Sequence, residues 1–484
     1  MLLARKHPRL RRLVVLLVAL CATIQPATAL AATTTEAVSA GLVRRDVTFD
    51  SGDLTMHGTV LSLDGDPTDP AGRAGLVLVS GAGSGPRERY LDEAEAFARA
   101  GIAVLIYDKR SDYSRATSSF GMLAGDAVAG VRFLRSYTGV DPARVGLWGH
   151  SEGGWVAPLA AARSSEVGFV VTVGASGFSS DRTQLWSNRT HLAHAGVEPS
   201  VATPIGANLS RMLISAGMFG DTGHDPAAAL RDVRQPILGV FAEHDRSTVP
   251  GESMTVFREA LEQGGNEHYT LRLVSDADHN LRASDDGFAE SRPSRFATGY
   301  VDLITSWVDD LADGPPDAKA DPPPAQAFPS SATAPLAWYE STILHLSLFV
   351  FALVAFLGYP VVAVTRRLRG RTSPDDAGWP ARLLAVAGPL AVLGTVTYLF
   401  AVVSTGASEI GPIGFGRPWV WLLLQILAVG VVAATVAVAA GWWKGRAGGG
   451  RARRGRDGSV RVALLVAGGA LFVPWATYWG LFTV

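Results

Sequence analysis

The sequence predicts an α/β protein followed by a four-helix membrane domain. Three observations carry that expectation. Short apolar runs alternate with helix-period segments between Gly41 and Asp313, as in a mostly parallel sheet covered by helices on both faces. Beyond residue 338 come four apolar runs, each long enough to cross roughly 30 Å of hydrocarbon. The chain is also 484 residues long, more than one ordinary domain needs.

In the body, strands are predicted at about 45–49, 54–61, 75–79, 102–107, 144–148, 168–173, 236–241 and 269–274. The central ones are continuous apolar runs, which suits strands buried on both faces. Helices fit at about 89–100, 122–137, 152–163, 253–263 and 295–311, the last with Tyr300, Leu303, Ile304 and Trp307 at helical spacing. An insert at 176–232, between the sixth and seventh strands, reads as a partly helical lid. The folded body is expected over 42–313, with its site at the C-terminal edges of the strands.

The ends read as an address and an anchor. Arg5, Lys6, Arg9, Arg11 and Arg12 precede an apolar run, and Ala27-Thr28-Ala29 or Ala29-Leu30-Ala31 offers a cleavage site, so residues 1–31 read as a signal peptide. An uncleaved membrane helix, and a lipoprotein signal on Cys21, are weaker readings of the same segment. The spans fall at about 343–364, 383–404, 420–440 and 462–481, within a membrane domain over 338–484. The loop after the first holds Arg366, Arg367, Arg369, Arg371 and Arg382, and the loop after the third holds Lys444, Arg446, Arg451, Arg453, Arg454, Arg456 and Arg461. Positive-inside bias puts both in the cytoplasm, hence a multi-pass protein of the cell membrane with its body on the extracytoplasmic side. The spans carry no Asp, Glu, Lys or Arg, which argues against ion or proton transport and for a partnership with the lipid bilayer. The Pro-rich stretch 314–337 reads as an extended linker. Since every predicted strand precedes it, the body is expected to work without the tail.

Charge excludes one class of function. Apart from the basic ends, the chain holds 25 basic and 40 acidic side chains. An acidic body lacks the footprint that nucleic acid needs. Cys21 is the single cysteine, so thiol nucleophiles and cysteine metal sites are excluded from the body. His191 and His194 lie three apart in the insert, but two ligands do not make a metal centre. The sequence calls for no metal and no cofactor.

The chemistry-bearing segment is Gly149-His150-Ser151-Glu152-Gly153, between an apolar strand and an Ala-rich helix. A nucleophile displayed on a sharp strand-to-helix turn needs small residues two before and two after it. That turn also points the Glu152 backbone N–H at a developing oxyanion. A second donor is expected from Ser80-Gly-Ala-Gly-Ser-Gly-Pro86 after the third strand, from Ser84 or Ala82. No phosphate-loop lysine follows these glycines, so a nucleotide site is unsupported.

Five pieces carry a family resemblance: Gly83-Ser-Gly-Pro-Arg-Glu-Arg89, Tyr107-Asp-Lys-Arg110, Gly146-Leu-Trp-Gly-His-Ser-Glu-Gly-Gly154, residues 236–250 and Ala277-Asp-His-Asn-Leu281. With them the sequence resembles the dienelactone-hydrolase-like and esterase branch of the α/β-hydrolase superfamily over nearly all of 44–311. The resemblance implies an α/β-hydrolase fold, an eight-stranded mostly parallel sheet with helices on both faces. Where the family continues Asp-Lys-Arg into a glycine-rich turn, this chain has Ser111-Asp112-Tyr113.

A serine hydroxyl needs a histidine to take its proton and an acid to orient that histidine. In this fold the chain order is Ser, acid, His. Asp245 matches the family's acid after the seventh strand, with Glu243 as a substitute, and His279 follows the eighth. The expected activity is hydrolysis of small carboxylic esters through an acyl-enzyme on Ser151. A serine peptidase or thioesterase on the same triad remains open, as does a non-catalytic membrane-tethered binding or sensor module. The His-Gly-Gly-Pro-Gly loop typical of proline aminopeptidases is absent.

Overall fold

A computed structural model describes residues 41–64, 72–288, 295–370, 378–447 and 456–483. The segment read as a signal peptide lies outside them. The chain divides into two compact units. One holds the body up to Ser187 together with Gly217–Thr333; the other holds Asn188–Ala216 and the chain from Ala334 onward.

In the first unit all eight expected strands form: β1 (Leu42–Ser51), β2 (Leu54–Leu63), β3 (Arg73–Val79), β4 (Ala103–Tyr107), β5 (Val140–His150), β6 (Val170–Val173), β7 (Ile237–Ala242) and β8 (Tyr269–Val274). A ninth, β9 (Lys319–Ala320), pairs in parallel with β8. The order is β1-β2-β4-β3-β5-β6-β7-β8-β9. β1 and β2 are antiparallel to their neighbours and the rest run parallel. The central parallel strands bury both faces, as their largely apolar runs require. Val77, Val145, Leu147 and Val170 face one core with Val156 and Ala160 of helix Gly153–Arg163 and Phe257 of helix Pro250–Gly264. Leu76, Trp148 and Val171 face the other, with Phe97 of helix Leu91–Arg99 and Tyr300 and Ile304 of helix Tyr300–Asp310.

Within the stretch read as an extended linker, residues 321–330 bond to the body. Asp321 pairs with Arg272 at 2.8 Å and accepts the Leu273 N–H at 3.0 Å. Further on, Gln326 and the Ser330 N–H each reach Glu252 at 2.8 Å, and the Phe328 carbonyl accepts Trp186 Nε1–H at 2.8 Å. Proline removes backbone donors but leaves carbonyls and side chains free to bond. A Pro-rich stretch can therefore bond to the surface it runs along.

Among its described residues, the second unit contains four helices long and apolar enough to cross a membrane: Thr342–Leu368, Gly378–Ser404, Trp419–Lys444 and Val460–Tyr478. Small residues let them approach: a Cβ on Gly388 would sit 2.5 Å from the Phe356 ring, and one on Gly468 would sit 2.7 Å from Ala355. Part of the insert read as one lid belongs here. Leu192, Val197, Val201, Ile205, Leu209 and Met212 are buried in a cluster with Ala381, Leu384, Trp421, Phe472 and Trp475. Arg211 pairs with Glu340 at 2.8 Å, Asn208 Nδ2–H donates to the Tyr478 carbonyl at 2.9 Å, and the Glu198 N–H donates to the Gly416 carbonyl at 2.8 Å. The insert is thus divided between the units. Its apolar positions at helical spacing are explained by burial against the tail helices.

Candidate active site

The loops that leave β3, β5, β7 and β8 carry the expected groups. Ser151 follows β5 at φ 54°, a left-handed conformation that a non-glycine residue rarely adopts and that active sites retain. Gly149 and Gly153 make the turn possible. A Cβ on Gly149 would lie 2.1 Å from the Gly153 oxygen, and one on Gly153 would lie 2.2 Å from the Val79 oxygen. The Ser151 N–H donates to the Val173 carbonyl of β6 at 3.0 Å, which fixes the elbow to the sheet.

Asp245 lies in the turn after β7 and is 1% exposed. Its Oδ2 is 2.9 Å from His279 Nδ1 and accepts the Thr248 hydroxyl at 2.5 Å. Its Oδ1 accepts the Ser247 and Thr248 N–H groups at 2.7 and 3.0 Å. Burial pushes the Asp245 carboxyl up, but the charge of His279 and the bonds from His279, Thr248 and Ser247 outweigh it and hold it below the usual carboxylate range. Glu243, the other candidate acid, instead accepts the Asp276 N–H at 3.2 Å. Val249 at φ 57°, and Asp276 and Leu281 at φ 52° and 54°, place backbone strain in the same loops as the triad candidates.

The His279 loop is pinned from outside the triad. Asp278 accepts the N–H groups of Asn280 and Arg282 at 2.8 and 3.0 Å. The Arg282 guanidinium reaches Asp92 and Glu93, both at 3.0 Å, and stacks 3.9 Å over the Phe296 ring. His150, beside the serine, joins another network. The Gly81 N–H donates to the Tyr90 hydroxyl at 2.7 Å, Tyr90 meets His150 Nδ1 at 3.0 Å, and His150 Nε2 meets the His279 carbonyl at 3.2 Å. With Tyr90 accepting from Gly81, its proton goes to Nδ1, and His150 carries its own on Nε2. Neither Tyr90 nor Arg282 was singled out from sequence, because each acts through residues distant in the chain.

Ser151 and His279 line one cavity of about 530 Å³ with Gly81, Ala82, Arg89, Tyr90 and Asp278. The Glu152 amide lies at the N-terminus of helix Gly153–Arg163. Ala82 belongs to the lining, whereas Ser84 is exposed and is not among the lining residues. For a metal, Glu243, His244 and Asp276 bring ligand atoms within 4.8 Å of one another. Arg246 lies 3.3 Å from His244 Nδ1, and its positive charge opposes a cation there.

The family model of the prolyl oligopeptidase family (peptidase S9) matches residues 123–295, from the helix before β5 past His279. Taken with the strand order, this decides the class. The body has the α/β-hydrolase fold. Among solved structures, the α/β-hydrolase body is similar to a dienelactone hydrolase from Anabaena variabilis: 20% identity over 57% of this chain and 100% of that one, TM-score 0.35. An esterase from Pyrococcus furiosus gives 17%, 55%, 92% and 0.39 for the same measures. A dipeptidyl peptidase 4 from Porphyromonas gingivalis gives 16% and 0.38, with 56% of this chain covering 36% of that one. No curated protein matches the sequence.

Proposed function

We propose that the chain is a membrane-anchored serine hydrolase that cleaves carboxylic esters, with Ser151 as nucleophile, His279 as general base and Asp245 as the acid that orients it. One observation carries the reading: Ser151 stands on a strained elbow in the cavity lined by the histidine that Asp245 holds. With Asp245 on Nδ1, His279 presents Nε2 as the acceptor for the serine proton. Serine attack then gives an acyl-enzyme, and His279 returns the proton to the leaving alcohol; water repeats the cycle. The second oxyanion donor is assigned to Ala82 rather than Ser84, because Ala82 lines the cavity and Ser84 does not. The body is placed on the extracytoplasmic side on the strength of the Arg-rich first and third tail loops.

The family match favours a second reading, a serine peptidase on the same triad. An enzyme that reads a free peptide N-terminus needs a carboxylate for its ammonium group. Of the cavity-lining residues the carboxylate is Asp278, already engaged by two backbone N–H groups, and the lining also carries Arg89 and Arg282. Both features support the ester. The test is fluorophosphonate labelling of the full chain in detergent, followed by parallel series of p-nitrophenyl esters and peptide p-nitroanilides. Ser151→Ala should abolish labelling while the protein stays folded. Turnover confined to anilides would replace the esterase with the peptidase, and undiminished labelling of the alanine variant would sink both.

A further inference from the structure

We infer that Lys109, Glu152 and Tyr113 form a clamp that fixes both oxyanion donors in place, so that Lys109 and Tyr113 are positioning residues for the hydrolytic step. The inference rests on the reading of Ser151 as nucleophile with the Ala82 and Glu152 amides as its oxyanion hole.

Lys109 follows β4, on the loop where the sequence departs from the family pattern. Its Nζ lies 2.6 Å from Glu152 Oε1 and 2.6 Å from the Gly81 carbonyl oxygen. Its side chain is 6% exposed and that of Glu152 is 7% exposed. Burial holds the Lys109 pKa below the usual lysine range, and the Glu152 charge offsets that only in part. The ammonium also sits 4.1 Å over the Tyr113 ring. Tyr113 closes the circuit: its hydroxyl accepts the Gly83 N–H at 3.2 Å and donates to the Glu152 carboxylate, 3.1 and 3.2 Å from its two oxygens.

The geometry of one peptide plane gives these contacts their consequence. In a planar trans peptide the C=O and the following N–H point in opposite directions. Lys109 holds the Gly81 oxygen, so the Ala82 N–H is turned the other way. The planes on either side are fixed too, through the Gly81 N–H on Tyr90 and the Gly83 N–H on Tyr113. The other end of the clamp is the side chain of Glu152, whose own amide is the first donor. Oxyanion stabilisation depends on donors set in place before charge develops. A buried ion pair adds little to stability, because desolvation offsets the attraction. Here the pair joins the two strands of chain that supply the donors.

The clamp is tested on the full chain in detergent with Lys109→Met, Lys109→Met/Glu152→Gln and Tyr113→Phe. The double substitution leaves no orphaned buried charge, and the phenylalanine removes a single oxygen. Two quantities are read: the fluorophosphonate labelling rate at Ser151 through the histidine pH range, and affinity for an alkyl trifluoromethyl ketone, whose serine adduct places an oxyanion in the hole. Lys109→Met and the double variant should lose about 10- to 100-fold in both, and Tyr113→Phe about 3- to 10-fold, less than the loss of a donor itself. The pH midpoint should not move, since Asp245 and His279 are untouched. A folded Lys109 variant that labels within about twofold of wild type overturns the clamp, and so does a shifted midpoint, which would route the effect through His279. Labelling that persists in Ser151→Ala overturns the nucleophile, and the clamp with it.

Discussion

Asp245 and Glu243 stand two residues apart, yet only Asp245 turns its carboxylate to His279, at 2.9 Å, while Glu243 accepts the backbone N–H of Asp276. In the proposed mechanism that difference makes Asp245 the acid. Asp245→Asn should lower kcat/KM by about 10³- to 10⁴-fold, as expected when an orienting acid is lost. Glu243→Gln should stay within about tenfold of wild type. Ester-hydrolysis kinetics on both variants decide it, and the reverse ranking would transfer the role to Glu243.

The pH profile has a definite sign. His279 must be neutral to accept the serine proton, so kcat/KM should rise with pH through the histidine range. Asp245 is held below the usual carboxylate range and stays ionised there. A carboxylate depressed in the folded state contributes stability that is present above its unfolded pKa of about 3.9 and is lost only as pH falls through the lower folded value. On acidification, activity should therefore disappear first, with circular dichroism unchanged, and unfolding should follow at lower pH. Simultaneous loss of both signals would contradict the assignment.

The fold was legible in the sequence because buried parallel strands write unbroken apolar runs, as in Leu76–Val79 and Ala103–Tyr107, and the elbow glycines have no substitute. The triad candidates Asp245 and His279, which the structure brings within 2.9 Å of each other, could be named from their places after β7 and β8. Lys109 was in view only as part of a motif. Its role depends on Gly81 and Glu152, 28 and 43 residues away, and one-dimensional patterns do not record such pairings. Tyr113 stands where the sequence departs from the family, so resemblance gave no role for it. The insert misled for another reason. Its apolar face reads the same whether it covers strand ends or packs on other helices, and Leu192, Val201 and Ile205 take the second course.

Topology gives the third prediction. A reporter active only in the cytoplasm should be on when fused near Thr372 or Gly449, within the Arg-rich connections, and off near Ala407, between the second and third spans. Protease added to intact cells lacking any outer barrier should reach the body. An inverted reporter pattern would move the body to the cytoplasm.

The division of the insert changes what truncation should do. All eight expected strands and the three triad candidates precede Asp313, which by itself suggests an active fragment ending near Pro315. The structure argues otherwise on two counts. A cut there removes β9, Asp321 and Ser330, which bond to Arg272 and Glu252. It also strips the tail helices from Leu192, Val201, Ile205 and Met212, which are 0%, 0%, 0% and 3% exposed. Full exposure costs about 1.5–3 kcal/mol for each such side chain, and together they form an apolar patch that promotes aggregation. A fragment ending at Pro315 should therefore be poorly soluble and label weakly with fluorophosphonate. A fragment ending at Thr333, with residues 188–216 replaced by a short Gly-Ser connection, should be soluble and label at Ser151. Gel filtration and labelling of the two fragments decide the matter. If the Pro315 fragment proves monodisperse and fully active, the burial of the insert against the tail helices contributes nothing that the body needs.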